Sequence, residues 1–151
     1  MSSRRTFLVR SVAALASATS SFAASGDAFA EMRWLNEPAS WKRTTNRVVA
    51  RSKPKTDFWR TTHTGQILDN GHFLYLPVRG NFTLQGRIAG SFNAQFDQVS
   101  LMVRLDERNW IKCGLELFNG AINSGVVATR DFSDWSTAKR RDFVVEDGAW
   151  C

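Results

Sequence analysis

The chain has 151 residues, a hydrophobic fraction of 43% and a net charge of +6, which is one domain's worth of ordinary globular sequence rather than a disordered one. Its 2 cysteines are too few for a disulfide framework. With 11 Phe and 6 Trp against 1 Tyr, the aromatic content goes into core and into flat apolar faces on which a ligand can stack.

At the N-terminus SRRTFL (Ser3–Leu8) resembles the twin-arginine export motif, with Arg4 and Arg5 as the pair. A weakly apolar stretch follows, and the small-x-small tripeptide at Ala28–Ala30 fits a signal-peptidase site. The expectation is a signal peptide over residues 1–30, a mature chain from Glu31, and a periplasmic or secreted location. Arg10 and the serines interrupt any apolar run of about 18 residues, so no stable membrane insertion is expected after cleavage. Twin-arginine cargo folds before it crosses, in a reducing compartment. Cys113 is therefore expected as a free apolar filler in a strand and Cys151 as a terminal thiol, neither of them catalytic.

Seven bases lie between Lys42 and Arg60. Such a stripe can follow a polyanion, but export argues against nucleic acid and leaves an acidic polysaccharide or a plain solvated strand face. The next stretch, FWRTTHTGQILDNGHF (Phe58–Phe73), holds both histidines close to Trp59, Asp69 and Asn70. The spacing of His63 and His72, H-x8-H across an Asp69-Asn70-Gly71 turn, is neither the HExxH pattern nor a paired-ligand ribbon. No serine sits in a G-x-S-x-G elbow. No metal and no cofactor are expected; the stretch is expected to present Trp59, His63 and His72 at the rim of a binding face.

From Phe82 onward the period is close to two. Phe82, Leu84, Ile88 and Phe92 share one face of the first strand, followed by inward sets of Val99, Leu101, Val103 and Leu105, then Ile111, Cys113, Leu115 and Leu117. A three-residue loop at Glu107–Asn109, with Asn109 left-handed, makes the inward sets coincide. Asn119-Gly120 is a strong hairpin signal and pairs Phe118 with Ala121. That register puts Arg104, Asp106, Trp110, Lys112, Glu116, Asn123, Thr129 and Asp131 on the outer face, with Gly114 opposite Gly125 leaving a shallow gap. A Trp beside hydrogen-bonding groups suits a sugar, whose C–H face stacks on the ring. No helical period exceeds one turn in the mature chain, so the class is all-β.

WLNEPASW (Trp34–Trp41), TDFWRTTHTG (Thr56–Gly65), DNGHFLY (Asp69–Tyr75), DQVSLMVRLDERNWIKCGLE (Asp97–Glu116) and ATRDFSDWS (Ala128–Ser136) resemble a bacterial family of unknown function related to the fungal regulation-of-enolase protein. The resemblance implies a concanavalin A-like jelly roll of two antiparallel sheets, with no assigned activity. It also implies further strands after DWS, where this chain ends in STAKRRDFVVEDGAWC. The expected organisation is therefore a sandwich domain over residues 31–136 and an atypical tail over 137–151 in place of the closing strands, a truncated copy.

The function expected is an exported, non-catalytic, lectin-like carbohydrate-binding module using Trp59, His63, His72, Trp110, Lys112, Glu116 and Asp131. One alternative is a glycoside-active enzyme, which needs two carboxyls flanking one bond. Glu116 has only Gly114 and Phe118 as same-face neighbours on its strand, and Asp106 lies too far along the hairpin. A structural or protein-interaction sandwich is the other alternative.

Overall fold

The computed structural model describes Phe7–Leu15 as backbone, Asp27, and residues 29–141, 143–144 and 147–151. Arg4, Arg5 and Ala28, on which the export signal and cleavage site rest, lie outside the described residues, as do Asp142, Val145 and Glu146 of the tail. The described residues form β-strands and no α-helix.

One main sheet has the order β13-β8-β1-β4-β3, built from β1 (Phe7–Leu15), β3 (Ser40–Thr44), β4 (Arg47–Arg51), β8 (Thr83–Gly90) and β13 (Ala149–Trp150). The other has the order β12-β11-β10-β9, from β9 (Gln98–Arg104), β10 (Asn109–Phe118), β11 (Ala121–Arg130) and β12 (Phe132–Lys139). Two ribbons, β2 (Arg33–Leu35) with β7 (Phe73–Tyr75) and β5 (Phe58–Arg60) with β6 (Ile67–Asp69), complete an all-antiparallel sandwich. Phe7–Leu15, expected to belong to a leader, pairs between β4 and β8. With it the sheet is continuous; a chain beginning at Glu31 would carry β4 and β8 as two separate edges.

The meander follows the sequence closely. Asn119 and Gly120 have φ of 50° and 71°, the two left-handed residues of a primed turn whose twist matches the strands it joins, and Phe118 pairs with Ala121. The preceding loop differs from expectation by one residue. Leu105 N–H donates to Asn109 O at 2.9 Å, so the loop is Asp106–Arg108 and Asn109 opens β10. Asp106 makes it, accepting the N–H groups of Arg108 and Asn109 at 2.7 and 2.8 Å in place of a left-handed asparagine. Parity is unchanged, so the same residues share a face. At Gly114 an added Cβ would sit 2.1 Å from Val99 O and 2.6 Å from Ser100 Cα, so only glycine lets β9 cross there.

Which face is covered is the opposite of expectation at one end of the sheet. Trp110 is 4% exposed, Lys112 5%, Glu116 7%, Asn123 5% and Thr129 6%, whereas Leu105 is 85%, Ile111 46%, Val126 40% and Val103 38% exposed. The β5–β6 ribbon folds across the polar face and buries it, forming a cluster of Phe58, Trp110 and Val127 with Trp59, Phe73 and Trp135 packed against it. On the apolar face, β8 and β13 cover only the end around Val99 and Leu115, where Ile88, Ala149, Phe92, Leu101 and Ile122 join them. The sheet thus has a core cluster on each side. Cys113 and Cys151 are free thiols, and burial pushes both above the ordinary thiol range.

Candidate functional site

The polar face of the meander holds a partly buried ion pair and a buried carboxylate. Lys112 Nζ donates to Asp57 Oδ1 at 2.8 Å and to Phe58 O at 2.9 Å, and lies 5.5 Å from the centre of the Trp110 ring. A buried ammonium needs such a set, because unpaired it loses its hydration without return. Four residues further along β10, on the same face, Glu116 accepts a hydrogen bond from Trp135 Nε1 at 2.9 Å. Burial raises the pKa of Glu116, opposed by that bond and by Lys112, and Asp57 raises it further. The gap between Gly114 and Gly125 is real, but its volume is about 10 Å³, walled by Gln98, Ser100, Lys112, Glu116 and Trp135. That admits one water and no sugar ring. Trp110, Lys112 and Glu116 are therefore not an open platform, which corrects the expected placement of these three.

Asp57 is the polar residue that sequence reasoning missed. The signal was indirect: a lysine on a strand with one face buried demands a carboxylate from elsewhere, and the segment entering β5 carries one.

The stretch that holds the histidines separates them. At the tip between β5 and β6, Trp59 Nε1 donates to Thr62 O at 2.8 Å and its ring stacks on His63, 6.4 Å between centres and 18° from parallel. Thr61 and His63 are left-handed, with φ of 65° and 64°, and a β-branched residue there is a genuine outlier. The loop is held by Thr61 N–H on Gln66 O at 2.6 Å and Gly65 N–H on Thr61 O at 2.7 Å.

Arg60 ties this tip to the β11–β12 turn. Its N–H donates to Ser133 Oγ at 2.9 Å and its Nε to Asp131 O at 3.3 Å. Asp131 is itself left-handed at φ 63° and pairs with Arg108. Trp59, His63 and Asp131 are thus brought to one end of the sandwich, as a rim of three turns.

His72 does not join them. It lies beyond the other end of β6, where Nε2 accepts the Lys53 N–H at 3.0 Å and Nδ1 donates to Asn36 O, which fixes the tautomer. Asn70 accepts the Asp57 N–H at 2.9 Å, and Asn70 N–H and Gly71 N–H both donate to Asp57 O. Because β6 pairs with β5 and β7 pairs with β2, Asn70-Gly71 is a bend between ribbons rather than the turn that was expected to present both histidines. Asp69 and Arg104 close the bend with a two-pronged ion pair at 2.5 and 2.9 Å. Among the described residues no three His, Cys, Asp or Glu side chains converge as metal ligands.

Fold and site together define an antiparallel β-sandwich with a largely buried polar face and a rim of fixed turns. Residues 34–151 match the family described as "Protein of unknown function (DUF1349)", and the chain belongs to that family. It is similar to Regulation of enolase protein 1 of Saccharomyces cerevisiae, 41% identical over 114 residues, which cover 73% of this chain and 58% of that protein. A crystal structure of a functionally unknown protein from the same yeast superposes with a TM-score of 0.70 at 37% identity, covering 74% of this chain and 60% of the other. The chain spans about three-fifths of the length of these relatives. The fold is the concanavalin A-like sandwich.

Proposed function

We propose that this chain is an exported, non-catalytic carbohydrate-binding module that holds its ligand at the rim made by Trp59, His63, Arg60 and Asp131. The observation that carries the reading is the left-handed backbone at Thr61 and His63. A conformation that costs energy persists only where its surroundings over-determine it, and such positions gather at ligand sites. Here the strain presents one face of the His63 ring, backed by Trp59. A sugar's C–H face stacks on such a ring, and its hydroxyls meet the Arg60 and Arg108 guanidiniums and the Asp131 carboxylate.

The non-catalytic part rests on the polar face. Lys112 and Glu116 already hold protein partners, and the gap between them at Gly114 and Gly125 admits one water, so general acid–base work on a glycosidic bond has no free pair there. In this reading Trp110, Lys112 and Glu116 support the rim from beneath, and His72 fixes the connection behind it.

Export to the periplasm or beyond rests on the Arg4-Arg5 pair. Lysine at both positions is expected to hold the precursor in the cytoplasm, since lysine lacks the planar guanidinium fork; fractionation of expressing cells reads this directly.

Binding is tested on a glycan array that includes acidic polysaccharides. His63→Asn keeps a residue that tolerates the left-handed region while removing the ring, and it is expected to lower affinity about tenfold with thermal unfolding unchanged. No binding to any glycan, or equal binding by His63→Asn, overturns the reading.

A further inference from the structure

A second surface, away from the rim, is shaped for a different ligand. β9 is an edge strand paired only with β10 among the described residues. The bond from Leu105 N–H to Asn109 O sets the alternation of an antiparallel pair. Val99, Leu101 and Val103 turn their main-chain groups toward β10, and Gln98, Ser100, Met102 and Arg104 turn theirs to the open side. Seven residues of edge offer roughly 23 Å of unpaired donors and acceptors.

This edge borders a partly open recess. It runs along a cavity of about 650 Å³ whose opposite walls come from Val48 and Ala50 of β4, Phe73–Leu76 around β7, and Phe82 and Leu84 at β8. That volume is in the range of ligand sites, which are mostly apolar with a few placed polar groups. Trp34 and Ser52 belong to the cavity's wall, and their Nε1 and Oγ, buried within that wall, have no hydrogen-bond partner.

The remaining edges of the two main sheets are guarded. β3 carries exposed Lys42 and Arg43, β12 carries exposed Asp134 and Lys139, and β13 is two residues long. Charges and short strands are how proteins keep an edge from accepting another chain. The single charge on β9 is Arg104, and Asp69 holds it. Beside the cavity, the segment that contributes Ser52 and Thr56 to its wall carries Arg51, Lys53 and Lys55, all exposed and with no carboxylate between them.

We infer that the open edge of β9 is a docking site for an extended peptide from another protein, which adds as a fifth strand, places its alternate apolar side chains in the cavity and sets acidic flanking residues against Arg51, Lys53 and Lys55. Strand addition takes affinity from main-chain hydrogen bonds and specificity from pockets for alternate side chains, and both are present. A small apolar molecule would fill the cavity but leave the row of main-chain groups unmatched. The inference stands apart from the glycan reading, since it involves neither His63 nor the rim.

The test uses the full chain and a fluorescent, terminally blocked octapeptide of two glutamates followed by alternating valine and threonine, read by anisotropy. Saturable binding is expected, weakened at least tenfold when alternate peptide amides are N-methylated and several-fold when the glutamates become lysines. Met102→Pro removes one outward N–H from an edge position where proline is tolerated, and it is expected to cost at least tenfold in affinity while the thermal unfolding transition is kept. Equal affinity for the N-methylated peptide overturns the proposal without relying on any variant's folding. So does the absence of saturation at millimolar peptide, or a concentration-dependent dimer in the ultracentrifuge that the octapeptide fails to dissociate, which would make a second copy the occupant.

Discussion

The two faces of the β9–β12 sheet have exchanged the roles that their residue types suggest. The face with Trp110, Lys112, Glu116, Asn123 and Thr129 is buried, and the face with Val103, Leu105, Ile111 and Val126 is open over half its length. The difference lies in what folds across each. The covering segment of the polar face brings partners for much of it: Asp57 and Phe58 O for Lys112, and Arg60 N–H for Ser133 Oγ, which also bonds Thr129, while Trp110 Nε1 is left without one. Polar residues are buried at tolerable cost only when cover and face are matched group by group. The apolar face needs no such matching, and the β8–β13 side covers it only around Val99 and Leu115.

If the ion pair on the polar face is a matched set, removing one member should cost much more than removing the charge that the set exists to hold. Asp57→Ala leaves Lys112, whose side chain is 6% exposed, without its carboxylate, while Asp57 itself is 30% exposed. A fully buried orphaned charge costs 3–5 kcal/mol; with water able to reach the Asp57 position, a loss of about 2–3 kcal/mol is expected in urea unfolding. Lys112→Met removes the buried charge and leaves a carboxylate that solvent can reach, and is expected to cost less than about 1 kcal/mol. Equal losses would break the comparison, because they would mean that Lys112 contributes packing rather than a charge requiring a partner.

Glu116 sharpens the same point through pH. Burial raises its folded pKa above the ordinary 4.5, so the folded chain holds this proton more tightly than the unfolded chain. Below pH 4.5 both states are protonated and the group is silent. As pH climbs past that value the unfolded chain ionises first, so stability falls until Glu116 ionises in the folded state, and it is constant above. Glu116→Gln keeps an oxygen for the Trp135 N–H and removes the titration. The stability of the variant relative to wild type should therefore rise with pH from 4.5 upward and then level off, measured as the difference in Tm between pH 4 and 7. A difference that does not change with pH would place Glu116 in a better-solvated site than its 7% exposure indicates.

What the sequence made legible was parity. Residue alternation and the Asn119-Gly120 turn were enough to pair Phe118 with Ala121, Gly114 with Gly125 and Trp110 with Thr129, as observed, and a one-residue error in the Asp106 loop left every face intact. Parity says which side chains travel together and nothing about what lies over them. The cover of the polar face comes from residues 52–60, some fifty positions earlier, held by Asp57, whose role depends on a distant lysine. His63 and His72 show the same limit at short range: nine residues apart, they are separated by the whole of β6, which the run FWRTTHTGQILDNGHF does not display as a strand with its own partner. The fixed rim was visible as a turn-rich stretch, but its left-handed Thr61 was not, since threonine is a poor signal for that conformation.

The smallest expected effect lies on the open face. Leu105 is 85% exposed at the end of β9, beside the Asp106 turn, while Leu115 on the same face is 1% exposed under Ile88 and Ala149. Replacing an exposed side chain away from any cap or pair changes stability by less than about 0.5 kcal/mol, so Leu105→Lys is expected to leave the urea midpoint in place. The equivalent truncation Leu115→Ala empties a packed site and should cost about 3 kcal/mol, which gives the scale on the same face. The lysine also adds a charge to an apolar surface, so it is expected to raise the concentration at which the chain begins to aggregate. A loss of more than about 1 kcal/mol in Leu105→Lys, beyond the surface range, would mean that this end of the face is covered in solution. If that loss grew with protein concentration, the cover would be another copy of the chain; if it did not, the cover would come from the chain itself.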